Sequence, residues 1–355
     1  MENKTGLVSL CCFLTIVPHV LLGAIEISKE PVAVCYNPNS ILNGGYDHYA
    51  QQVGSRTRLS TCTGVAWFSG GQQLISANLL ESSFQIYAFN SSTEQLTPVK
   101  SWKQTRITQL GWPENLCISK DEKWLAVTNS YTGKVNLYRV NKHTGVNPAV
   151  VGTVFAGDTG LHGVRFSSHG DFLSYVTYDN PPKIRVFRID QSGQNPRLDL
   201  TYTYSFQFDE MAAKGIAFSP DDHYVAICFA KRATSQVAAR SGRIVIYRFD
   251  RWEGTLDPIP VSEIGVEEGL NVPEDIAFYP DGSCILASNQ GGDSVSLHIF
   301  DSQTGMIGPS SVALQSPEAE LNFPHGIAIS PDGKYLAVSN YGDDKITIYK
   351  ITNTN

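Results

Sequence analysis

One pattern returns six times along the 355 residues, and this regular period constrains the fold more than any other feature of the chain. Its last copy is the clearest, GIAISPDGKYLAVSNYGDDKITIYKI from Gly326 to Ile351. Aligned with it stand GVAWFSGGQQLISAN from Gly64, NLCISKDEKWLAVTN from Asn115, GVRFSSHGDFLSYVT from Gly163, GIAFSPDDHYVAICF from Gly215 and DIAFYPDGSCILASN from Asp275. The positions equivalent to Ser330 are Phe68, Ser119, Ser167, Ser219 and Tyr279, giving steps of 51, 48, 52, 60 and 51 residues. Each copy runs from an apolar stretch through a Ser-Pro-Asp-Gly type of turn to a second apolar stretch, a polar loop and an alternating β-branched stretch. Pro presets one backbone angle of that turn and Gly frees another, which suits a tight connection between antiparallel strands. Short strands with turn chemistry at a fixed offset inside a period near 50 describe a β-propeller blade, and helical repeats do not meet that description.

The expected fold is therefore an all-β β-propeller of six four-stranded blades. Strands A, B and C come from the motif, and a weaker fourth strand follows, such as Leu96 to Trp102, Val150 to Phe155 or Leu198 to Phe206. In Lys345-Ile346-Thr347-Ile348-Tyr349, alternation predicts an apolar face packed on the next blade and a more polar opposite face. The sixth copy stops at its third strand. The stretch Pro31 to Tyr36 is expected to complete it, removing the open edges of an unclosed ring. A count of seven stays open, but a further blade needs roughly 40 residues, and the unassigned stretch Asn37 to Cys62 has 26.

Composition narrows the partners. Lys and Arg number 27 against 34 Asp and Glu, a net charge of −7, so no basic surplus exists to offset a phosphate backbone and nucleic acid is excluded as a partner. Residues 1–24 read apart from the single propeller domain at 25–355. After Met1-Glu2-Asn3-Lys4 comes a nearly uncharged apolar run from Gly6 to Ile25, which reads as a secretory signal and predicts a secreted or periplasmic protein. An uncleaved anchor is the rival, because Leu22 would stand at the −3 position of a cut after Ala24. Pro18 and His19 interrupt the run and no second run of about 18 apolar residues follows, so no spanning segment is expected after processing, and a monomer is expected. Cys35, Cys62, Cys117, Cys228 and Cys284 show neither CxxC nor metal-type spacing, and Cys117 and Cys228 read as small buried hydrophobes on strands.

The segments FPHGIAISPDGKYLAVSNYGDDKITIYKI, VPEDIAFYPDGSCILASN and GIAFSPDDHYVAI resemble the repeats of the lactonase and YVTN-type β-propellers, and the resemblance covers nearly all of the chain after about Pro31. It implies hydrolysis of sugar lactones, as in phosphogluconolactonase-like enzymes, or partner binding, as in YVTN-type surface propellers. The repeat identifies a fold, not a chemistry. Those lactonases are seven-bladed, whereas six copies are found here. Six blades are usual for the gluconolactonase and regucalcin type, which holds a divalent metal over the channel, but its Asn-rich metal set has no match in this chain.

The register also places residues at the channel. Immediately before strand A, the six blades put Thr63, Glu114, His162, Lys214, Glu274 and His325, so five titratable groups converge on one mouth. A His beside a carboxylate can activate water, and a cation can stabilise a developing oxyanion. His162 or His325, oriented by Glu114 or Glu274, with Lys214 as the cation, is the catalytic set expected for lactone opening. Two His and two Glu also suit a divalent metal, and the width of a propeller mouth favours the pairs His162 with Glu114 or His325 with Glu274 over all four. At the end of strand B, Asn129, Asn289 and Asn340 are candidate substrate contacts, with turn formation as the blander role of such Asn residues. Two insertions reach the same face. One carries Tyr46-Asp47-His48-Tyr49, Arg56 and Arg58, the other Lys231, Arg232, Arg240 and Arg243; Arg56 and Arg232 are candidates to hold a small anionic or sugar-derived ligand. No GxSxG elbow, P-loop, HExxH or EF-hand loop is present. Two functions remain: lactone hydrolysis at the channel mouth, or non-catalytic binding of a ligand or protein partner.

Overall fold

The computed structural model describes residues 24–37, 61–141, 145–208, 210–232 and 240–354. The signal-like residues 1–23, Arg56 and Arg58 with the Tyr46–Tyr49 segment, and positions 233–239 of the blade-four insertion lie outside the described residues. Among the described residues, six antiparallel sheets are present, each ordered A-B-C-D from the axis outward. The A strands are Cys62–Trp67, Pro113–Ile118, Leu161–Phe166, Met211–Phe218, Pro273–Phe278 and Pro324–Ile329. Each lies against the A strand of the next blade, and that of blade six lies against that of blade one, so the ring is closed.

The turn chemistry explains why A and B pair in register. In blade six the Ser330 hydroxyl bonds the Asp332 carboxylate at 2.6 Å and accepts from the Tyr335 N–H at 2.9 Å. Blades two and four repeat this with Ser119 and Asp121, and with Ser219 and Asp221. The fourth turn position is left-handed in all six blades: Gly71, Glu122, Gly170, Asp222, Gly282 and Gly333 have φ between 52° and 88°. Glycine adopts this freely. Glu122 and Asp222 do not, and each sends its carboxylate onto the turn of the preceding blade, Asp222 accepting from the Ser168 and His169 N–H groups at 2.6 and 2.7 Å.

Six apolar clusters fill the six spaces between blades; Phe172 and Val186 of blade three, for example, pack on Ile216, Phe229 and Tyr247 of blade four. The inner strands are thus covered on both faces. The expected contrast of faces on Lys345–Tyr349 is present, and its more polar face is buried too. Ile346 and Ile348 join the cluster shared with blade one, while Tyr349 packs toward blade five. Between them Thr347 is fully buried, its hydroxyl bonded to Asn340. Among the described residues, the fourth strands such as Gln95–Lys103 are the more exposed ones. In blade six the outer position is shared. Ala33–Tyr36 pairs with one end of Lys345–Thr354, Ala33 opposite Ile348, and Ala24–Ile27 with the other, Ile27 opposite Ile351. Cys117 and Cys228 are buried free thiols, and burial raises both thiols above their ordinary range, Cys117 to about 12.

Candidate functional site

The second residue of each A strand in blades two, three, five and six, and Lys214 in blade four, point to one end of the channel. The backbone there is pinned from the neighbouring blade: the Thr128 hydroxyl donates to the His162 carbonyl at 2.7 Å, and the Ser288 hydroxyl donates to that of His325. His162 Nε2 lies 3.4 Å from Glu114 Oε1 and 3.4 Å from Glu274 Oε2. His325 Nε2 lies 3.1 Å from Glu114 Oε1 and 3.6 Å from Glu274 Oε2. Lys214 Nζ donates to both oxygens of Glu274, at 2.8 and 2.9 Å. All five residues are between 1% and 9% exposed.

The expectation that opposite blades stand too far apart is therefore corrected: each His meets both carboxylates. The channel is narrow because Gly64, Gly163, Gly215 and Gly326 follow the ring positions. A Cβ on Gly215 would lie 2.7 Å from Asp275 Cα, and one on Gly64 2.8 Å from Asn115 Cα, so the A strands approach to backbone contact.

Charge in this cluster is mutually sustained. Burial opposes the Glu114 carboxylate, yet His162, His325 and Lys214 reverse that and hold it below its usual range. Glu274 is driven further down, its burial overcome chiefly by Lys214. Burial also opposes the Lys214 and His325 cations, and the carboxylates raise both above their ordinary values. The His162 Nδ1 lies 2.9 Å from the Lys214 carbonyl, which can only accept, so Nδ1 carries the proton. The His325 Nδ1 is buried with no hydrogen-bond partner.

Two aromatic rings that the sequence reading passed over frame the cluster. Tyr178 stacks on His162 at 6.3 Å, with the Lys214 ammonium 4.9 Å from its ring centre, and Tyr341 stacks on His325 at 5.8 Å. Their signal was present: each stands directly after strand B in a blade that carries a ring His. Arg232 joins this rim, donating to the Tyr178 carbonyl at 3.0 Å and to that of Asp179.

The Asn candidates are corrected. Asn129, Asn289 and Asn340 are fully buried, and their side-chain carbonyls accept the N–H groups of Gly111, Asn271 and Asn322 in the loops leading to strand A, at 2.8, 3.1 and 3.0 Å. Their amide nitrogens bond inward, Asn340 to Thr347 and Asn289 to Ser296. They fasten the loops that lead into strand A. Thr63, the sixth ring member, donates to the Pro113 carbonyl at 3.0 Å.

Deeper in the channel, Arg165 Nη2 meets Asp275 Oδ2 at 2.7 Å and Nη1 meets Asn115 Oδ1 at 2.9 Å. Arg165 interrupts a ring otherwise made of Ala66, Cys117, Ala217, Ala277 and Ala328. Beyond it the channel widens into a cavity of about 410 Å³ lined by Trp67, Ile118, Phe166, Phe218, Phe278 and Ile329 among others.

The sequence matches the family described as "Lactonase, 7-bladed beta-propeller" over residues 46–157 and 154–323. No curated protein matches. Among solved structures, a 6-phosphogluconolactonase from Bacteroides uniformis, itself described as putative, is similar at a TM-score of 0.56 and 17% identity, covering 81% of this chain and 80% of that one. The periplasmic gluconolactonase of Pseudomonas aeruginosa gives 0.53 and 20%, covering 74% and 73%. Hydrazine synthase of Kuenenia stuttgartiensis gives 0.54 and 16%, covering 83% and 84%, so likeness at this level speaks for the fold alone. With its repeats, its closed ring and a match spanning most of its length, the chain belongs to the lactonase β-propeller family, with six blades among its described residues.

Proposed function

We propose that the chain opens a sugar-derived lactone or a similar cyclic ester at the mouth built from Glu114, His162, Lys214, Glu274 and His325. The observation that carries this reading is the buried Glu–His–Glu–His cluster at one end of the channel, with a Lys beside it. Lactone opening adds a water oxygen to the carbonyl carbon, breaks the ring C–O bond and returns a proton to the departing oxygen, yielding a hydroxy acid. It requires an acceptor for the water proton and a donor for the developing oxyanion. The cluster supplies the first. Neither nitrogen of His162 is free to act alone, since Nδ1 serves the Lys214 carbonyl and Nε2 faces two carboxylates. Activation of water is thus a property of the cluster rather than of a lone imidazole. Lys214 spends two of its three N–H donors on Glu274 and has one for the oxyanion. Tyr178 and Tyr341, stacked on the two His, frame the opening in which a sugar ring would sit, and Arg232 suits a carboxylate or phosphate on it.

A panel of neutral, carboxylated and phosphorylated sugar lactones, followed by acid release, tests the reading. Opening of at least one lactone well above the buffer rate is expected. No lactone opened faster than buffer overturns it. The second reading, a propeller that binds such a ligand without turnover, draws on the near-complete burial of the cluster, and it is read in the same panel as saturable binding without product.

A further inference from the structure

We propose that Glu114, His162 and His325 form a binding site for one divalent transition-metal ion of the zinc class at the head of the channel. Their donor atoms, Glu114 Oε1, His162 Nε2 and His325 Nε2, all lie within 4.8 Å of one another. The His–Glu separations of 3.1 and 3.4 Å exceed those of charge-assisted hydrogen bonds, roughly 2.7–2.9 Å. They match donors that share an ion, because ligands at about 2.0–2.1 Å with near-tetrahedral angles stand roughly 3.3–3.4 Å apart.

Proton placement points the same way. His162 holds its proton on Nδ1 for the Lys214 carbonyl, the arrangement that a backbone partner imposes on metal-binding imidazoles. Its Nε2 lone pair then faces two carboxylate oxygens, three electron-rich atoms that a cation between them would reconcile. His325 is 3% exposed and its Nδ1 has no partner, so its polar engagement runs through Nε2 into the same point. Formal charge agrees: Glu114 and Glu274 against Lys214 leave one negative charge with both His neutral, and a divalent ion turns the mouth positive. Imidazole with carboxylate selects zinc, iron, nickel or copper over calcium and magnesium, which favour oxygen ligands.

Glu274 differs from Glu114 because Lys214 holds both its oxygens. It faces the fourth side of the set, with Oε2 at 3.4 and 3.6 Å from the two imidazole nitrogens. Three protein ligands with a carboxylate over the remaining position is the pattern of sites that hold a water. The ion would thereby name the agent that activates water in the hydrolysis proposed above; only that use, not the binding, rests on the hydrolytic reading.

The test uses the full chain, stripped with a chelator and titrated with Zn²⁺ alone by calorimetry, and with Co²⁺ followed in visible absorption. One equivalent per chain and the intense bands of four-coordinate cobalt are expected. Affinity should fall at least 100-fold in Glu114→Gln and His325→Ala, and stay unchanged in His223→Ala, whose ring is largely exposed. Glu114→Gln is nearly isosteric and is the variant to read should His325→Ala not fold. Absence of stoichiometric binding, binding that survives Glu114→Gln, or loss in His223→Ala overturns the site. Lactone opening equally fast with and without bound metal overturns the ion's role while sparing the hydrolytic reading; stoichiometric metal without lactone opening overturns the hydrolytic reading, and the ion's role with it, while sparing the binding site.

Discussion

The two ends of the channel are built from the same six strands and yet are chemical opposites. At the leading end of the A strands, side chains are titratable, mutually paired and nearly closed to solvent. A few residues further along, at roughly 3.3 Å per residue, the same strands present Trp67, Phe166, Phe218 and Phe278 around an open cavity. Both ends inherit their spacing from the blade repeat, so geometry alone does not separate them. What separates them is which ring positions depart from their neighbours. The apolar end keeps to aromatic and aliphatic side chains in all six blades, while the leading end mixes two acids, two His and a Lys, with the two acids never adjacent around the ring. Uniformity marks packing, and ordered variation marks chemistry.

The sharpest way to break this contrast is to change one end at a time. Glu114→Gln should lower kcat/KM for the best lactone about 10²- to 10⁴-fold, the range for loss of an acid–base group. Ala217→Leu, which narrows the apolar cavity, should change it less than about threefold. If the second variant is the inactive one, the ends have been assigned the wrong way round.

Next in size is the Arg165–Asp275 pair that divides the two ends. Asp275→Ala leaves a guanidinium uncompensated in the channel and should cost about 3–5 kcal/mol in denaturant unfolding. The double change Arg165→Met with Asp275→Leu should recover most of it. If Asp275→Ala costs less than about 1 kcal/mol, the divider is not structural.

Two buried histidines sharpen the same contrast. His325 sits among carboxylates and is raised, whereas His298 has only the Ser296 and Ser310 hydroxyls for partners, and burial pushes it down to about 4. The unfolded chain protonates His298 near pH 6.5 while the folded chain resists until about pH 4, so the unfolded state binds more protons between these values. The stability from a neutral His298 is complete above pH 6.5 and is lost as pH falls toward 4, by roughly 3 kcal/mol in all. The acid dependence of unfolding should flatten between those limits in His298→Gln relative to the parent. Equal slopes would refute the assignment.

The smallest effect concerns the turns at the apolar end. Asp222→Ala removes two bonds to backbone N–H groups of the blade-three turn and a third to the His169 ring while keeping the left-handed backbone, and should cost about 1–2 kcal/mol by thermal unfolding. Gly170→Ala, strained with no carboxylate at stake, should cost less.

The fold was legible because Ser330, Asp332 and Gly333 and their counterparts carry turn geometry in their own side chains, a local signal that survives without tertiary context. The ring positions were legible for the same reason, since a fixed offset from that turn locates them. Their meeting was not. Channel width depends on how closely A strands approach, and the missing Cβ of Gly64, Gly163, Gly215 and Gly326 that permits it carries no signal in a repeat pattern. The roles of Asn129, Asn289 and Asn340 were misplaced because an amide that fastens a loop and one that binds a sugar look alike until its partners are known. Arg165 and Asp275 escaped notice because their pairing joins blades 110 residues apart.

The last blade borrows its outer strands from the beginning of the chain, and this has a consequence in time. Blades one to five can each form from about 50 consecutive residues, whereas Ala33–Tyr36 must find Lys345–Ile348 across more than 300. Scaling closure entropy with loop length makes that search dearer by roughly 1.6 kcal/mol than a single-blade closure. The clasp is consequently the step in which arrival order matters. Until residues near 350 have emerged from a ribosome or a translocation pore, the first segment has no partner, and the nascent ring waits open with the flanks of blades one and six both uncovered.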